Sequence, residues 1–422
     1  MLIEFSVENF RSFKERMTLS MVANDSEELL HSNTVSATAK LRLLKSAAIY
    51  GANASGKSNL VKAFQFMSDF IRTSAKDMQT GEKLDFEPFL LNTSEWARPS
   101  LFEIIFLVGA TRYRYGFQIN ESVVVSEWLF QQSKRNEKAL FTREGNVFTI
   151  FSGFKEAKGL ESRTRDNALF LSVLAQFNVL TAIEIVSVTG FYPTFSDPFL
   201  DVSVEADLFS KSFHNNPKEI STFLAHFHLG FTEVLLKKNI LQDSQPNGKI
   251  KDTNTSFSEI FTKHRVIDSQ NRGITSIDFN LEQQESNGTR KIVAFAPTFI
   301  EALQNGACIF FDEIDNSLHP LLSRKIIELF NNAETNAQGA QLIFTTHDTN
   351  LLSPNLLRRD QIWFTEKMPH GATDLYSLAD FEINEAKPSQ SASYGNDYLL
   401  GKYGAIPYIG DVAALLGGKK HE

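Results

Sequence analysis

With a single cysteine, Cys308, among 422 residues, the chain cannot close an intrachain disulfide, and no Cys/His cluster offers the spacing of a zinc site. Cys308 falls inside the apolar run ACIFFDE, where a buried strand residue is expected. No stretch reaches the roughly 18 to 20 apolar residues that cross a bilayer. The opening MLIEFSVENF alternates like a strand, and no basic segment followed by an apolar run marks a secretory signal. A cytoplasmic chain with no membrane span is therefore expected. No repeat period and no sustained heptad array occur, which excludes solenoids and long coiled-coil arms. Positive charge is short as well. A net charge of −8 argues against indiscriminate binding to polyanions, although a local basic groove is compatible with an acidic total.

What is present describes a globular chain with a substantial core, 42% hydrophobic and 22% charged. Strand-like stretches run from Leu2 to Phe10, Ser46 to Tyr50, Leu101 to Val108, Thr111 to Ile119, Ile274 to Leu281, Cys308 to Phe311 and Gln341 to Thr345. The short apolar ones suit central strands covered on both faces. The longer early ones alternate and suit an antiparallel sheet with one wet face. Between about 155 and 230, broken amphipathic stretches such as DNALFLSVLAQFNVLTAIEIV carry apolar residues at helical spacing. The expected organisation is an α/β head in two parts, 1–150 and 231–422, interrupted by a compact helical lid at 151–230.

Four motifs carry chemistry. Gly51-Ala52-Asn53-Ala54-Ser55-Gly56-Lys57-Ser58 matches G-x-x-x-x-G-K-[ST] after an apolar strand and before a helical pattern, with Asn59 next in line. Glycines let the backbone wrap phosphates, amide N–H groups at the helix start donate to them, Lys57 neutralises charge and Ser58 ligates magnesium. The run Cys308-Ile309-Phe310-Phe311 ends in Asp312 and Glu313, one carboxylate suited to the magnesium shell and the other to polarising a water. A third apolar strand leads into His347, placed to reach a γ-phosphate from a strand's carboxyl end. Ser286 and Gly288 open a helical pattern. They form either a plain N-cap or, with free N–H groups and a hydroxyl, a site for a γ-phosphate presented by another subunit.

In this order the motifs resemble ABC-type ATPases, particularly the AAA15-like branch of SMC/RecF-related ATPases found in bacterial anti-phage operons. The opening Glu8-Asn9-Phe10-Arg11-Ser12-Phe13, the segment EIDNSLHP from Glu313 to Pro320, and the stretches FEPFLLN, RYRYGFQI and LLGKYGAIP are similar to that group. The resemblance implies an ABC-type α/β head, a mixed sheet with the phosphate loop plus an antiparallel sheet. It also implies a head-to-tail homodimer or higher oligomer around Mg-ATP. In it, Ser286 and Gly288 of one copy close on the nucleotide held by Gly51, Asn53, Ser55, Gly56, Lys57, Ser58 and Asn59 of the other, and Asp315 lies in the contact loop. The glutamine that such ATPases carry after the phosphate loop is unassigned, Gln79 and Gln118 being poor candidates. No D-x-D pair follows His347, so a nuclease or toxin effector is expected on a separate chain.

Three readings of function stay open at this point. The first is an ATPase subunit of a phage-defence or toxin–antitoxin-like system. The second is a RecF-like DNA-maintenance clamp, which requires a basic stripe. The third, a transporter subunit, fits least with the opening strand and the long separation between motifs. Clusters such as Lys134-Arg135, Lys237-Lys238 and Lys263-His264-Arg265 leave nucleic acid as a candidate partner, although such pairs are commonly solvated faces.

Overall fold

The structure is a computed structural model of the chain. It describes residues 1–133, 136–189, 194–195, 209, 213, 216–244, 250–381 and 393–407, with the backbone alone at 194–195, 238–244 and 250–258. Lys134, Arg135 and the Lys238 side chain lie outside what is described.

The strand Ser46–Tyr50 sets the middle of a six-stranded sheet. Its neighbours are Gln341–Thr345 on one side and Ile362–Lys367 on the other; Cys308–Phe311 and then Thr194–Phe195 continue outward past Gln341–Thr345. All these pairings are parallel, and only Thr373–Ser377 runs antiparallel, beside Ile362–Lys367. The three short apolar runs are fully buried, because both faces of the sheet are covered. Successive residues feed opposite cores, as the two-residue period of a strand requires. Ala47, Ile49, Cys308, Phe310 and Ile343 join one cluster, and Ala48, Tyr50, Ile309, Phe311, Leu342 and Phe344 join the other.

The first cluster is built round the helix Lys57–Thr73, whose Leu60, Val61, Phe64, Met67 and Ile71 are buried. Phe64 stacks on Phe310 at 3.7 Å between ring centroids and meets Phe5 edge-on at 5.2 Å. Phe5 belongs to the second large sheet. That sheet is antiparallel and seven-stranded, in the order Val147–Ile150, Lys138–Glu144, Val124–Gln132, Thr111–Ile119, Ser100–Val108, Leu2–Glu8, Met17–Ser20. The helix Lys57–Thr73 is thus held between the two sheets. On the far face of the parallel sheet, the second cluster packs Ile292, Val293, Phe295, Ala296 and Phe299 of helix Asn287–Asn305, and Ile326, Ile327 and Phe330 of helix Pro320–Asn331. Gln341 joins the sheets at their edge: its amide accepts from Leu2 N at 2.6 Å and donates to the Leu2 and Leu44 carbonyls.

Three features depart from the sequence expectations. The strand Ser100–Val108 is buried on both faces instead of wet on one, because the hairpin Thr34–Thr38/Leu41–Leu44 lays Leu43 over Ile3, Ile105 and Leu107. The helices Phe170–Gln176 and Leu180–Thr189 contribute Phe170, Leu171, Leu174, Ala182 and Ile185 to the core round the helix Lys57–Thr73. Farther along, the antiparallel hairpin Glu233–Ser244/Ile250–Ile267 forms a three-stranded sheet with Gly273–Asn280. Its polar sequence lacks the alternation that would have marked those first two strands. Among the described residues, no single helix is long and apolar enough to cross a membrane.

Candidate functional site

Parallel pairing brings the carboxyl ends of Ser46–Tyr50, Gln341–Thr345 and Cys308–Phe311 side by side. The loop 51–56, His347, and Asp312 with Glu313 therefore emerge at one edge of the sheet, the usual ligand position in such sheets.

The loop turns through Ala54 at φ +61° and Gly56 at φ +117°. A side chain at Gly56 would collide with Thr373, whose Cγ2 stands 2.7 Å from the position of a Cβ. Gly56 therefore answers both the backbone angle and the close approach. It precedes helix Lys57–Thr73 without any side-chain cap, leaving the first-turn N–H groups and the positive end of the helix dipole for an anion. Lys57 is buried, with its ammonium donating to the Gly51 and Ala52 carbonyls at 2.9 and 3.1 Å. Burial lowers its pKa from the ordinary lysine value, and the charges of Asp312, Glu313 and Asp315 act in the opposite direction. Two neutral carbonyls are modest partners for a buried ammonium, and an incoming polyanion would be a stronger one.

The antiparallel pair Ile362–Lys367/Thr373–Ser377 braces this loop from the side away from Asp312. Ser55 Oγ lies 2.6 Å from Thr365 Oγ1, while Thr373 Oγ1 contacts the Ser55 carbonyl at 2.7 Å and Ser12 Oγ at 2.8 Å. Asn59 turns its side-chain amide to Ser12 Oγ at 2.8 Å, whereas Asn53 is exposed and Ser58 half-buried. Thr365, Thr373 and Ser12 were not legible as site residues, because isolated hydroxyls on a hairpin and a loop carry no spacing pattern.

Asp312 and Glu313 are half-buried at the end of their strand. Asp312 Oδ1 accepts from Thr345 Oγ1 at 2.5 Å, and the same hydroxyl accepts from Glu313 N at 2.7 Å. The loop beyond them is held by Lys291, whose ammonium reaches the carbonyls of Glu313 at 3.3 Å and Asn316 at 2.9 Å. His347 is exposed, and its backbone N–H lies 3.4 Å from both carboxylate oxygens of Asp315. Desolvation by the surrounding sheet edge, followed by the Lys57 charge, lowers its imidazole below the ordinary value. Asp315, Glu313 and Asp312 counter that shift only in part.

Ser286 caps helix Asn287–Asn305, its Oγ accepting from Thr289 N at 3.1 Å. It is exposed and lines a cavity of about 490 Å³ with Asn287, Gly288, Thr289, Ser317, His319, Leu229 and Leu322. Among the described residues, the side-chain partner of Ser286 lies within its own cap, while those of Lys57 lie within its own loop. Gly288 sits against the loop 313–318, a Cβ there falling 2.7 Å from the Ser317 carbonyl oxygen. Gln118, already a poor choice for the missing glutamine, accepts from Ser126 Oγ within the antiparallel sheet. Cys308 is a core residue, and burial pushes its thiol up to about 12.

Residues 46–353 match the family described as "AAA domain, putative AbiEii toxin, Type IV TA system". The chain belongs to this family. The match begins at the strand Ser46–Tyr50, ends just beyond His347, and takes in the Ser286 cap and part of each large sheet, leaving out Leu2–Glu8, Met17–Ser20, Ile362–Lys367 and Thr373–Ser377. The family is of the P-loop ATPase-like kind, which generally binds ATP with magnesium. The mixed α/β architecture, with one largely antiparallel and one parallel-containing sheet, is that of such a domain. No curated protein shows significant similarity to the chain.

Proposed function

We propose that this protein is an ABC-type ATPase that binds and hydrolyses ATP by closing two copies of itself around two nucleotides. The observation that carries the reading is the gathering of the uncapped helix at Lys57, the carboxylates Asp312 and Glu313, and His347 at one sheet edge. Meanwhile Ser286 faces a cavity of its own. An anion-binding helix start beside a buried ammonium fits a nucleoside triphosphate. A carboxylate at the sheet edge from which the helix bearing Ser58 also starts fits magnesium, which takes few protein oxygens when phosphates supply the rest.

Ser58 and Asp312 would hold the magnesium, whose chemistry is to neutralise charge on the phosphate oxygens. Gly51, Asn53, Ser55, Gly56 and Lys57 would cradle the phosphates, with Asn59 positioning the loop through Ser12. Glu313 would orient and polarise the attacking water, and His347 would sense the γ-phosphate. The exposed Ser286 cap and Gly288 would meet the γ-phosphate bound by the other copy. The cations Lys237 and Lys263 pair with Asp278 and Glu233, which gives the DNA-clamp alternative little support.

The family description names a toxin of a type IV toxin–antitoxin system. That supports the toxin–antitoxin part of a further reading; that the chain is the regulator in an anti-phage, toxin–antitoxin-like system in the cytoplasm, with a nuclease or toxin effector on a separate chain, rests on the sequence resemblance alone. The test is mixing. Specific ATPase activity should rise with protein concentration until the dimer saturates. Ser286→Arg and Lys57→Ala chains, each inactive alone, should regain activity together, from about one working site per mixed dimer. Mixed dimers without any recovered activity would refute the shared site.

A further inference from the structure

We infer that Thr345, buried at the end of the strand Gln341–Thr345, is the positioning residue that sets both acidic groups of the site through one hydroxyl. The inference rests on the ATPase reading above. The neighbouring strands pair in parallel up to Phe311 opposite Phe344. One step further, the acidic strand leaves the sheet and wraps around Thr345. Asp312 Oδ1 accepts from the Thr345 hydroxyl at 2.5 Å. Glu313 N donates to that same oxygen at 2.7 Å, and Ile314 N donates to the Thr345 carbonyl at 3.0 Å. Three consecutive residues are thereby fixed by one.

The middle residue of the three needs fixing most. Glu313 holds φ +50°, a left-handed conformation that is unfavourable for a non-glycine residue and persists where neighbours over-determine it. The hydroxyl has one proton, and it goes to Asp312 Oδ1. The other carboxylate oxygen is left for a cation, while the lone pair facing Glu313 N holds the backbone from which the Glu313 side chain projects. A buried threonine with a satisfied hydroxyl is ordinary in itself. Here its partners are the two groups on which cation binding and water activation would depend, so losing the hydroxyl should disturb both without touching the nucleotide cradle.

Thr345→Val keeps shape and removes the hydroxyl; Thr345→Ser restores it. In steady-state hydrolysis, the valine variant should lose on the order of 10–100-fold in kcat, the scale on which small misplacements act, with KM changed less than about threefold. In a binding assay with a fluorescent ATP analogue, its half-saturating magnesium concentration should rise about fivefold or more, while magnesium-free binding stays at the wild-type level; the serine variant should return both readouts to within about threefold of wild type. Should the valine variant fail to fold, Thr345→Ala, which also lacks the hydroxyl, carries the same expectation. Wild-type kcat and magnesium requirement in a folded hydroxyl-free variant, or equal losses in serine and valine variants, would overturn the inference. A wild-type protein that neither binds nor hydrolyses ATP would instead remove the reading on which it rests.

Discussion

Lys57 shows most directly how a buried ammonium weighs on the free protein. Its pKa is lowered in the folded state by burial, so the unfolded chain takes up that proton first. The folded state is favoured above the unfolded lysine's range, about pH 10.4, and that advantage is lost as pH falls through the lowered folded value. At neutral pH the buried ammonium is therefore a burden that two carbonyl partners offset only in part. Lys57→Met should abolish tight nucleotide binding in equilibrium titration and, without nucleotide, raise the unfolding temperature at pH 7 above that of the wild type. A lower unfolding temperature would mean that the ammonium stabilises the free fold. Retained affinity would remove the phosphate-loop assignment.

Among elements, the pieces of this site differ in how visibly they are written in the sequence. The central strands at 46–50, 308–311 and 341–345 were legible to the residue, because short apolar runs followed by Gly51, Asp312 and His347 combine a burial signal with a chemical one. Thr111–Ile119 was legible through its alternation. The hairpin Ile362–Lys367/Thr373–Ser377 was not, although Thr365 and Thr373 brace the loop 51–56 through Ser55. Its role depends on a contact across more than 300 positions, and no local period encodes such a contact. The Glu233–Ser244/Ile250–Ile267 hairpin escaped for a different reason: its strands hold each other through backbone pairing, and the apolar residues it sends to the core, Val234, Leu236 and Ile260, are too few to mark a strand period.

The start of helix Asn287–Asn305 lies between these cases. Its cap was legible, while its packing on the 313–318 loop was not. That packing makes a specific expectation. Gly288→Val would drive its Cβ into the Ser317 carbonyl oxygen, an overpacking that typically costs about 1–3 kcal/mol. The helix start would then be pushed off the loop that also receives Lys291. The variant should remain folded by circular dichroism and bind ATP at its own phosphate loop, yet lose more than about tenfold in hydrolysis. Wild-type hydrolysis would show that the approach of Gly288 to Ser317 has no bearing on the site.

For the whole molecule, the layering bears on the proposed closure of two copies. The helix carrying Lys57 is locked between two sheets by one core, and the helix carrying Ser286 belongs to the opposite core on the far face of the central sheet. Each half-site is therefore rigidly mounted. An exposed cap that must meet a γ-phosphate is then most simply supplied by a partner arranged head to tail. Glu313→Gln separates closure from chemistry: it keeps the size of the side chain and most of its hydrogen bonding but removes the basic carboxylate. Hydrolysis should drop by about 10²–10⁴-fold, the range general-base catalysis supplies, while Asp312, Ser58 and Lys57 still support nucleotide binding. The most direct measurement is the mass of Glu313→Gln in solution by light scattering with saturating Mg-ATP, together with nucleotide analysis of the eluted peak. A stable dimer retaining about one ATP per chain is the expected result. A monomer under those conditions, or hydrolysis at the wild-type rate, would contradict closure around two nucleotides with Glu313 as the water-activating residue.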